Sequence, residues 1–179
     1  MSKVKKAKQQ RNDFEKAANV IRDAGGRIVG RTRLQKVAFL LELVGLGEGF
    51  SFSYHHYGPY SEDLNLAIQL GVMFDELGEQ ERLASWGGKY SIFTTDRRED
   101  EVSTADRKRF ARIASEADPV ELELAATAAF LATDGIKNAW DETAKRKPEK
   151  SKNGRLAKAK NLYKNLAELN TPRKLPHLV

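Results

Sequence analysis

His55 and His56 are the residues of this sequence whose type and spacing first suggest metal chemistry. Adjacent residues in a strand point to opposite sides, so only one of the pair could face a given site. A metal site would need further ligands converging on that residue, and the chain has one other histidine, His177. The spacing therefore predicts no metal site, and packing against Tyr57 or Tyr60 is sufficient to explain the pair.

Ser61 is a candidate nucleophile, with His56 as the only base near it in sequence. Its neighbours do not form the Gly-x-Ser-x-Gly turn of a hydrolase, and helix capping explains a serine here. The glycines of 45–49 lack the Gly-Lys-Ser/Thr ending of a phosphate-binding loop. Glu121 and Glu123 do not share a helix face, and the chain has no cysteine. The sequence predicts no catalytic residue, no cofactor and no enzyme; the alternative is a hydrolase or nuclease with an unrecognised site.

The charge of the chain is unevenly distributed, although the net charge is only +6. Residues 1–36 have eleven Lys/Arg against three acidic residues, and residues 135–179 have twelve against four. Residues 37–134 have eight Lys/Arg against eighteen acidic residues. The basic ends either meet nucleic acid or neutralise the acidic middle of the chain.

If the chain binds nucleic acid, its basic ends and a β-hairpin near residues 79–95 supply the contacts. The candidate cations are Arg27, Arg31, Arg33, Lys36, Lys89, Arg97, Arg98, Lys145, Arg146, Lys147, Lys150, Lys152, Arg155 and Lys158. The alternative for the run after residue 145 is a solvated helix face and loop.

Helical periodicity dominates the elements that must position these residues. Apolar spacing, capping residues and glycine or proline breaks predict helices over 12–24, 32–44, 61–70, 103–116, 120–132, 136–145 and 151–169. A short strand over 50–54 and a hairpin turning at Gly87-Gly88 are the β elements. The predicted fold is mainly α, with a winged-helix-like N-terminal part containing a small β-hairpin, followed by a helical C-terminal half.

The segment that organises the chain is Tyr57-Gly58-Pro59-Tyr60-Ser61, between two amphipathic helices. Thr32 is placed as the N-cap of the first helix, with Gln35 completing a capping box. Ser61 is placed as the N-cap of the second, with Glu62 and Asp63 in its first turn. Gly58-Pro59 is expected to form a turn that ends the strand.

Arg33-Leu34-Gln35-Lys36 followed by Tyr57-Gly58-Pro59-Tyr60-Ser61 resembles the YwgA-like proteins of bacteria and their phages. It also resembles, more distantly, the Panacea antitoxin domain. The segment Glu121–Thr127 and the Lys147-Pro148 pair after Trp140 fit the same pattern, so the likeness extends over roughly residues 12–170. These families imply a helical domain with winged-helix-like elements, a link to toxin neutralisation or phage defence, and no established catalytic residues.

A non-enzymatic regulatory protein of a phage-defence or toxin–antitoxin-type system is the predicted function. Its partner is expected to be a toxin, an effector or a defence component. In a DNA-binding winged helix the helix before the wing enters the major groove, but here residues 61–69 contain two acids and no Lys or Arg. The residues of the motif, as candidate partner contacts, are Leu34, Gln35, Lys36, Tyr57, Gly58, Pro59, Tyr60 and Ser61.

The chain is expected to form one body in the cytoplasm, with no membrane span. Its predicted parts are a basic disordered tail or helix extension (1–10), the winged-helix-like part (11–102), a helical part packed on it (103–170) and an irregular tail (171–179). Gly58-Pro59 is expected to be structural first, with Tyr57 and Tyr60 packed on the first helix. The rival interpretation makes Tyr57, Tyr60 and Lys36 an exposed contact surface.

Overall fold

Helices form most of the molecule, and a small antiparallel sheet completes it. The structure, a computed structural model, describes the backbone of residues 3–178 and the side chains of residues 13–178. The described helices are α1 (Lys3–Asp23), α2 (Arg31–Leu43), α3 (Glu62–Met73), α4 (Ala105–Glu116), α5 (Pro119–Thr133), α6 (Ala139–Arg146) and α7 (Arg155–Ala167). The described strands are β1 (Arg27–Val29), β2 (Ser53–His55), β3 (Gly58–Tyr60), β4 (Gly78–Leu83) and β5 (Lys89–Thr94).

Side chains close in sequence cap the N-termini of α3, α4 and α5. The Ser61 hydroxyl accepts a hydrogen bond from the Leu64 amide, Thr104 caps α4, and Asp118 caps α5 with Pro119 behind it. The predicted cap at Thr32 is wrong, because Gly30, with φ of 96°, begins α2 earlier and no described side chain caps its first turn. The backbone of residues 3–10, expected as a tail or a helix extension, is helical; residues 1 and 2 lie outside the described residues.

The sheet joins an early strand to the hairpin. Its order is β1–β5–β4, all antiparallel, with Ile28 opposite Phe93. The hairpin turning near Gly87 was predicted, but β1 was not, because three residues after two glycines give no periodic pattern.

A separate two-stranded ribbon, β2–β3, replaces the predicted turn. Gly58 and Pro59 lie in β3, opposite His55 and Tyr54, and the chain turns at residues 56 and 57. The prediction of a turn at Gly58-Pro59 is therefore wrong: a proline at the edge of a two-stranded ribbon loses no ladder hydrogen bond that the ribbon needs.

Helix α5 is the centre of the core, as its apolar sequence predicted. It is buried along most of its length and packs against α2, α6, α7 and β3. The C-terminal segment after α7 is irregular and packs on the body: the Arg173 amide donates to the Val44 carbonyl, and Leu175 is buried. Within residues 3–178, no helix has the length and apolar character needed to cross a membrane.

A buried charge network joins α1 to α4 and to the loop after α2. The Arg107 guanidinium pairs with Asp23 and lies 2.6 Å from Glu48, and Arg22 pairs with Asp23 from the other side. The Arg107–Glu48 contact is an ion pair without hydrogen-bond geometry. Burial favours the neutral acid, but hydrogen bonds from Arg22 and Ser103 and the charge of Arg107 hold the pKa of Asp23 below its usual range.

Candidate functional site

Gln35, in α2, hydrogen-bonds to Ser61, the N-cap residue of α3. Its amide nitrogen donates to the Ser61 carbonyl at 3.0 Å, and its amide oxygen accepts from the Ser61 amide at 2.8 Å. The expectation that Gln35 caps Thr32 is therefore wrong. Both hydrogen-bonding ends of this buried side chain are used for a contact 26 residues away in sequence.

Lys36 is a buried lysine that contacts the ribbon. The residue is only 1% exposed, and its side-chain nitrogen donates a hydrogen bond to the Pro59 carbonyl at 2.7 Å. No carboxylate of the described residues lies within ion-pair distance of it. Burial lowers the pKa of Lys36 to about 7; Glu123 acts in the opposite direction, and Lys147 and Lys150 add to the lowering.

Glu123 is a buried carboxylate shared by two other lysines. The ammonium groups of Lys147 and Lys150 each lie 2.7 Å from one of its oxygens. Lys147 also donates to the His56 carbonyl at 3.0 Å, and Lys150 lies 4.9 Å from the centre of the Tyr57 ring. These contacts fasten the β2–β3 ribbon to the C-terminal helices.

Gly58 lies against Thr127 of α5. Its φ is 87°, and a Cβ placed there would lie 2.5 Å from the Thr127 hydroxyl oxygen. That hydroxyl is buried and has no hydrogen-bond partner within the described part of the chain. Both the backbone angle and the space at this position therefore require glycine.

Replacing Gly58 with alanine is expected to destabilise the protein by about 3 kcal/mol, from backbone strain together with the clash against Thr127. Gly30→Ala is the matched control: its φ is 96° but nothing lies within 4 Å, so it should lose stability from backbone strain alone and therefore less than Gly58→Ala. Urea unfolding measures the free energy of unfolding of the two variants. Adding Thr127→Ala should recover part of the Gly58→Ala loss and none of the Gly30→Ala loss; equal losses for the two glycines would contradict the close-contact argument.

A pocket of about 240 Å³ lies between α2 and the ribbon. Helix α2 contributes Arg31, Thr32, Gln35 and Lys36 to its lining. The ribbon contributes His55, Tyr57, Gly58 and Tyr60. The exposed lining is mostly apolar, so this is a cavity in which a few polar groups converge among apolar walls.

Six of the eight candidate partner contacts are buried: Leu34, Gln35, Lys36, Gly58, Pro59 and Ser61. They cannot meet a partner in this conformation. Tyr60 is half-buried beside His55, and Tyr57 is 53% exposed rather than packed under α2. The motif is therefore mostly buried and contributes to the packing of the fold, with two tyrosines at its surface.

The candidate nucleic-acid residues are scattered, and acids neutralise many of them. Lys36 and Lys147 are buried, while Arg31 pairs with Glu79 and Lys89 with Glu81. Ion pairs also engage Arg97, Arg146, Lys150 and Lys152. Besides the buried Lys36, the candidates that make no ion pair with a described residue are Arg27, Arg33, Arg98, Lys145, Arg155 and Lys158.

His55 and His56 each lie against a tyrosine ring. The His55 ring lies 4.9 Å from Tyr60 and the His56 ring 4.7 Å from Tyr57, measured between ring centres. Among the described residues, no group of three or more metal-ligating side chains is placed to hold an ion.

The solvent face of α3 is a second feature of functional interest. Leu66 is 50% exposed, Met73 71% and Phe74 60%, and the half-buried Leu70 lies between them. These positions follow an i, i+4, i+7, i+8 spacing, which makes a second apolar stripe opposite the buried one of Leu64 and Ile68. Four exposed carboxylates flank this stripe: Glu62, Asp63, Asp75 and Glu76.

Sequence reasoning missed Glu123, Thr127 and the exposed stripe of α3. Glu123 stands inside the most apolar helix, and a charge in such a segment indicates a buried ion pair. The heptad spacing of Leu66 and Met73 was readable in the sequence as well. Thr127 gives no local signal, because its importance comes from contact with a glycine far away in the chain.

Neither a scan against models of protein families nor a search of curated proteins produced a match.

Proposed function

We propose that this protein is a non-enzymatic regulatory protein that binds a partner protein through the solvent face of α3. The observation that carries the proposal is the combination of an exposed apolar stripe with flanking carboxylates on that helix. Contiguous apolar side chains exposed on one face are typical of protein interaction surfaces. A toxin, an effector or a defence component is the kind of partner expected from the resemblance of the motif.

The topology supports this choice of helix. The order is α1–β1–α2–β2–β3–α3–β4–β5, with β1 paired to the hairpin. Apart from the β2–β3 ribbon between α2 and α3, this order is compatible with a winged helix, in which α3 would be the recognition helix. From residue 61 to residue 81 the chain has six acidic residues and no Lys or Arg. Such a helix would be repelled by phosphates, so the recognition position favours a protein over DNA.

The charge of the surface favours a basic partner. Glu62, Asp63, Asp75 and Glu76 make no ion pair with other described residues, whereas Glu79 and Glu81 are already paired. A segment that places apolar side chains between Lys or Arg residues is complementary to this arrangement. An amphipathic basic helix lying against α3 meets both requirements.

Met73→Glu is expected to weaken partner binding by at least about tenfold while leaving the melting temperature unchanged, because Met73 is exposed in the free protein. The partner is sought among the products of adjacent genes by co-expression, and its affinity is then measured with purified proteins. Ile136→Glu, at an exposed apolar residue outside α3, is the matched control and should bind like the wild type.

Equal binding by Met73→Glu and wild type would contradict the proposal, as would failure of every neighbouring gene product to bind. Concentration-dependent dimerisation that Met73→Glu abolishes would assign the surface to a second copy instead. Tight, salt-dependent binding of duplex or single-stranded nucleic acid would favour the alternative of a nucleic-acid-binding protein that uses the basic ends and the wing.

A further inference from the structure

We propose that the pocket between α2 and the β2–β3 ribbon binds a small organic carboxylate, with an apolar body and a single negative charge. This ligand site is separate from the α3 surface and does not depend on the proposed partner. The shape of the pocket, the charges that line it and the absence of an ion pair between its lining lysine, Lys36, and any described residue support this assignment.

The walls suit an apolar body of modest size. The volume of about 240 Å³ is below the ~300–1,000 Å³ typical of pockets for drug-sized ligands. Tyr60 and His55 form one wall, with ring centres 4.9 Å apart. Most of the exposed lining is apolar, so a flat or short aliphatic group can displace water from it.

The charged side chains that line the pocket favour an anionic ligand. Arg31 and Lys36 line the pocket, and no carboxylate is among the described lining residues. Glu79 already pairs with Arg31 at 2.9 Å, and the nearest acid on the far side of Lys36, Glu123, is held by two other lysines. Lys36 is therefore the one lining cation with no ion-pair partner among the described residues.

A buried charge without an ion-pair partner is costly, so the burial of Lys36 favours its neutral amine. This agrees with its pKa of about 7. The other charged or titratable groups facing Lys36 are Arg31, His55, Tyr57 and Tyr60 across the pocket, and Glu123, Lys147 and Lys150 on the side of α5 and α6.

Binding of an anion would reverse this preference. A carboxylate in the pocket stabilises the ammonium form, so at pH 8 the complex takes up a proton that the free protein lacks. A single uncompensated cation matches a monoanion better than a phosphate dianion, whose second charge would have no partner in these apolar walls.

The test compares benzoate and hexanoate with benzamide and hexanamide by isothermal titration calorimetry at pH 8. Each acid is matched to its amide in size and shape, so the comparison isolates the charge. At least one acid is expected to bind tenfold or more tightly than its amide. Titrations in Tris and in HEPES, which differ in ionisation enthalpy, should show uptake of up to about one proton per bound acid.

Lys36→Met should abolish both the preference for the acid and the proton uptake, while Lys89→Met, at an exposed lysine paired with Glu81, should retain both. The proposal is overturned if neither acid binds, if acid and amide bind equally, or if binding proceeds without proton uptake. These last comparisons use the wild-type protein and stand even if Lys36→Met does not fold. None of them bears on the binding of a partner at α3.

Discussion

Raising the pH from 7 to 9.5 is expected to stabilise the wild-type protein by about 3 kcal/mol relative to Lys36→Met. The pKa of Lys36 is about 7 in the folded protein and 10.5 when unperturbed. Below pH 7 both the folded and unfolded chains hold the proton, so the lysine adds no pH dependence there. Between pH 7 and 10.5 only the unfolded chain holds it, and the free energy of unfolding rises by about 1.4 kcal/mol per pH unit.

Urea unfolding of both proteins at several pH values measures the difference. The methionine keeps the apolar stem and has no titrating group, so the gap between the two curves isolates the amine. Lys89→Met, at an exposed lysine, controls for the general effect of removing one positive charge. Parallel curves for wild type and Lys36→Met would show that Lys36 stays charged inside the folded protein and would contradict this assignment.

Arg107→Met is expected to destabilise the protein by about 3–5 kcal/mol, because it removes one partner from a buried ion network. Arg107 is almost fully buried, and its guanidinium faces Asp23 and Glu48 and also donates to the Leu46 carbonyl at 2.8 Å. Without it, Glu48 would be left without a cation among the described residues, while Asp23 would keep Arg22.

The neighbouring Lys108→Met provides the control for the Arg107 variant. Lys108 pairs with Glu99 at the surface, and exposed pairs of this kind contribute about 0–1 kcal/mol. Thermal and urea unfolding of the two variants should therefore differ severalfold in their effect. A loss below about 1 kcal/mol for Arg107→Met would show that the core tolerates the unpaired acid, against the role assigned to the network.

The parts of the fold that depend on neighbouring residues were predictable from the sequence. Ser61, Thr104 and Asp118 cap their helices through residues two or three positions away, so the signal is local. The apolar run of α5 likewise predicted its place in the core. Thr32 with Gln35 matched the capping-box pattern equally well, yet Gly30 begins the helix and Gln35 is used elsewhere.

The candidate site depends on long-range contacts that local sequence patterns do not predict. Gln35 meets Ser61, Lys36 meets Pro59, and Glu123 meets Lys147, each across at least 23 residues. Local pattern reasoning assigned these side chains to capping, partner contact or a solvated face. Their tertiary partners decide otherwise, because a buried polar group takes whichever partner the fold brings to it.

The measurement that tests partner binding most directly is amide hydrogen exchange of the protein with and without its purified partner. Protection is expected over residues 62–76, which span α3 and the acidic turn after it. The ribbon at residues 53–60 and the basic segment at 145–160 should exchange as in the free protein. Protection at either of those segments, with α3 unchanged, would contradict the assignment of α3 as the binding surface.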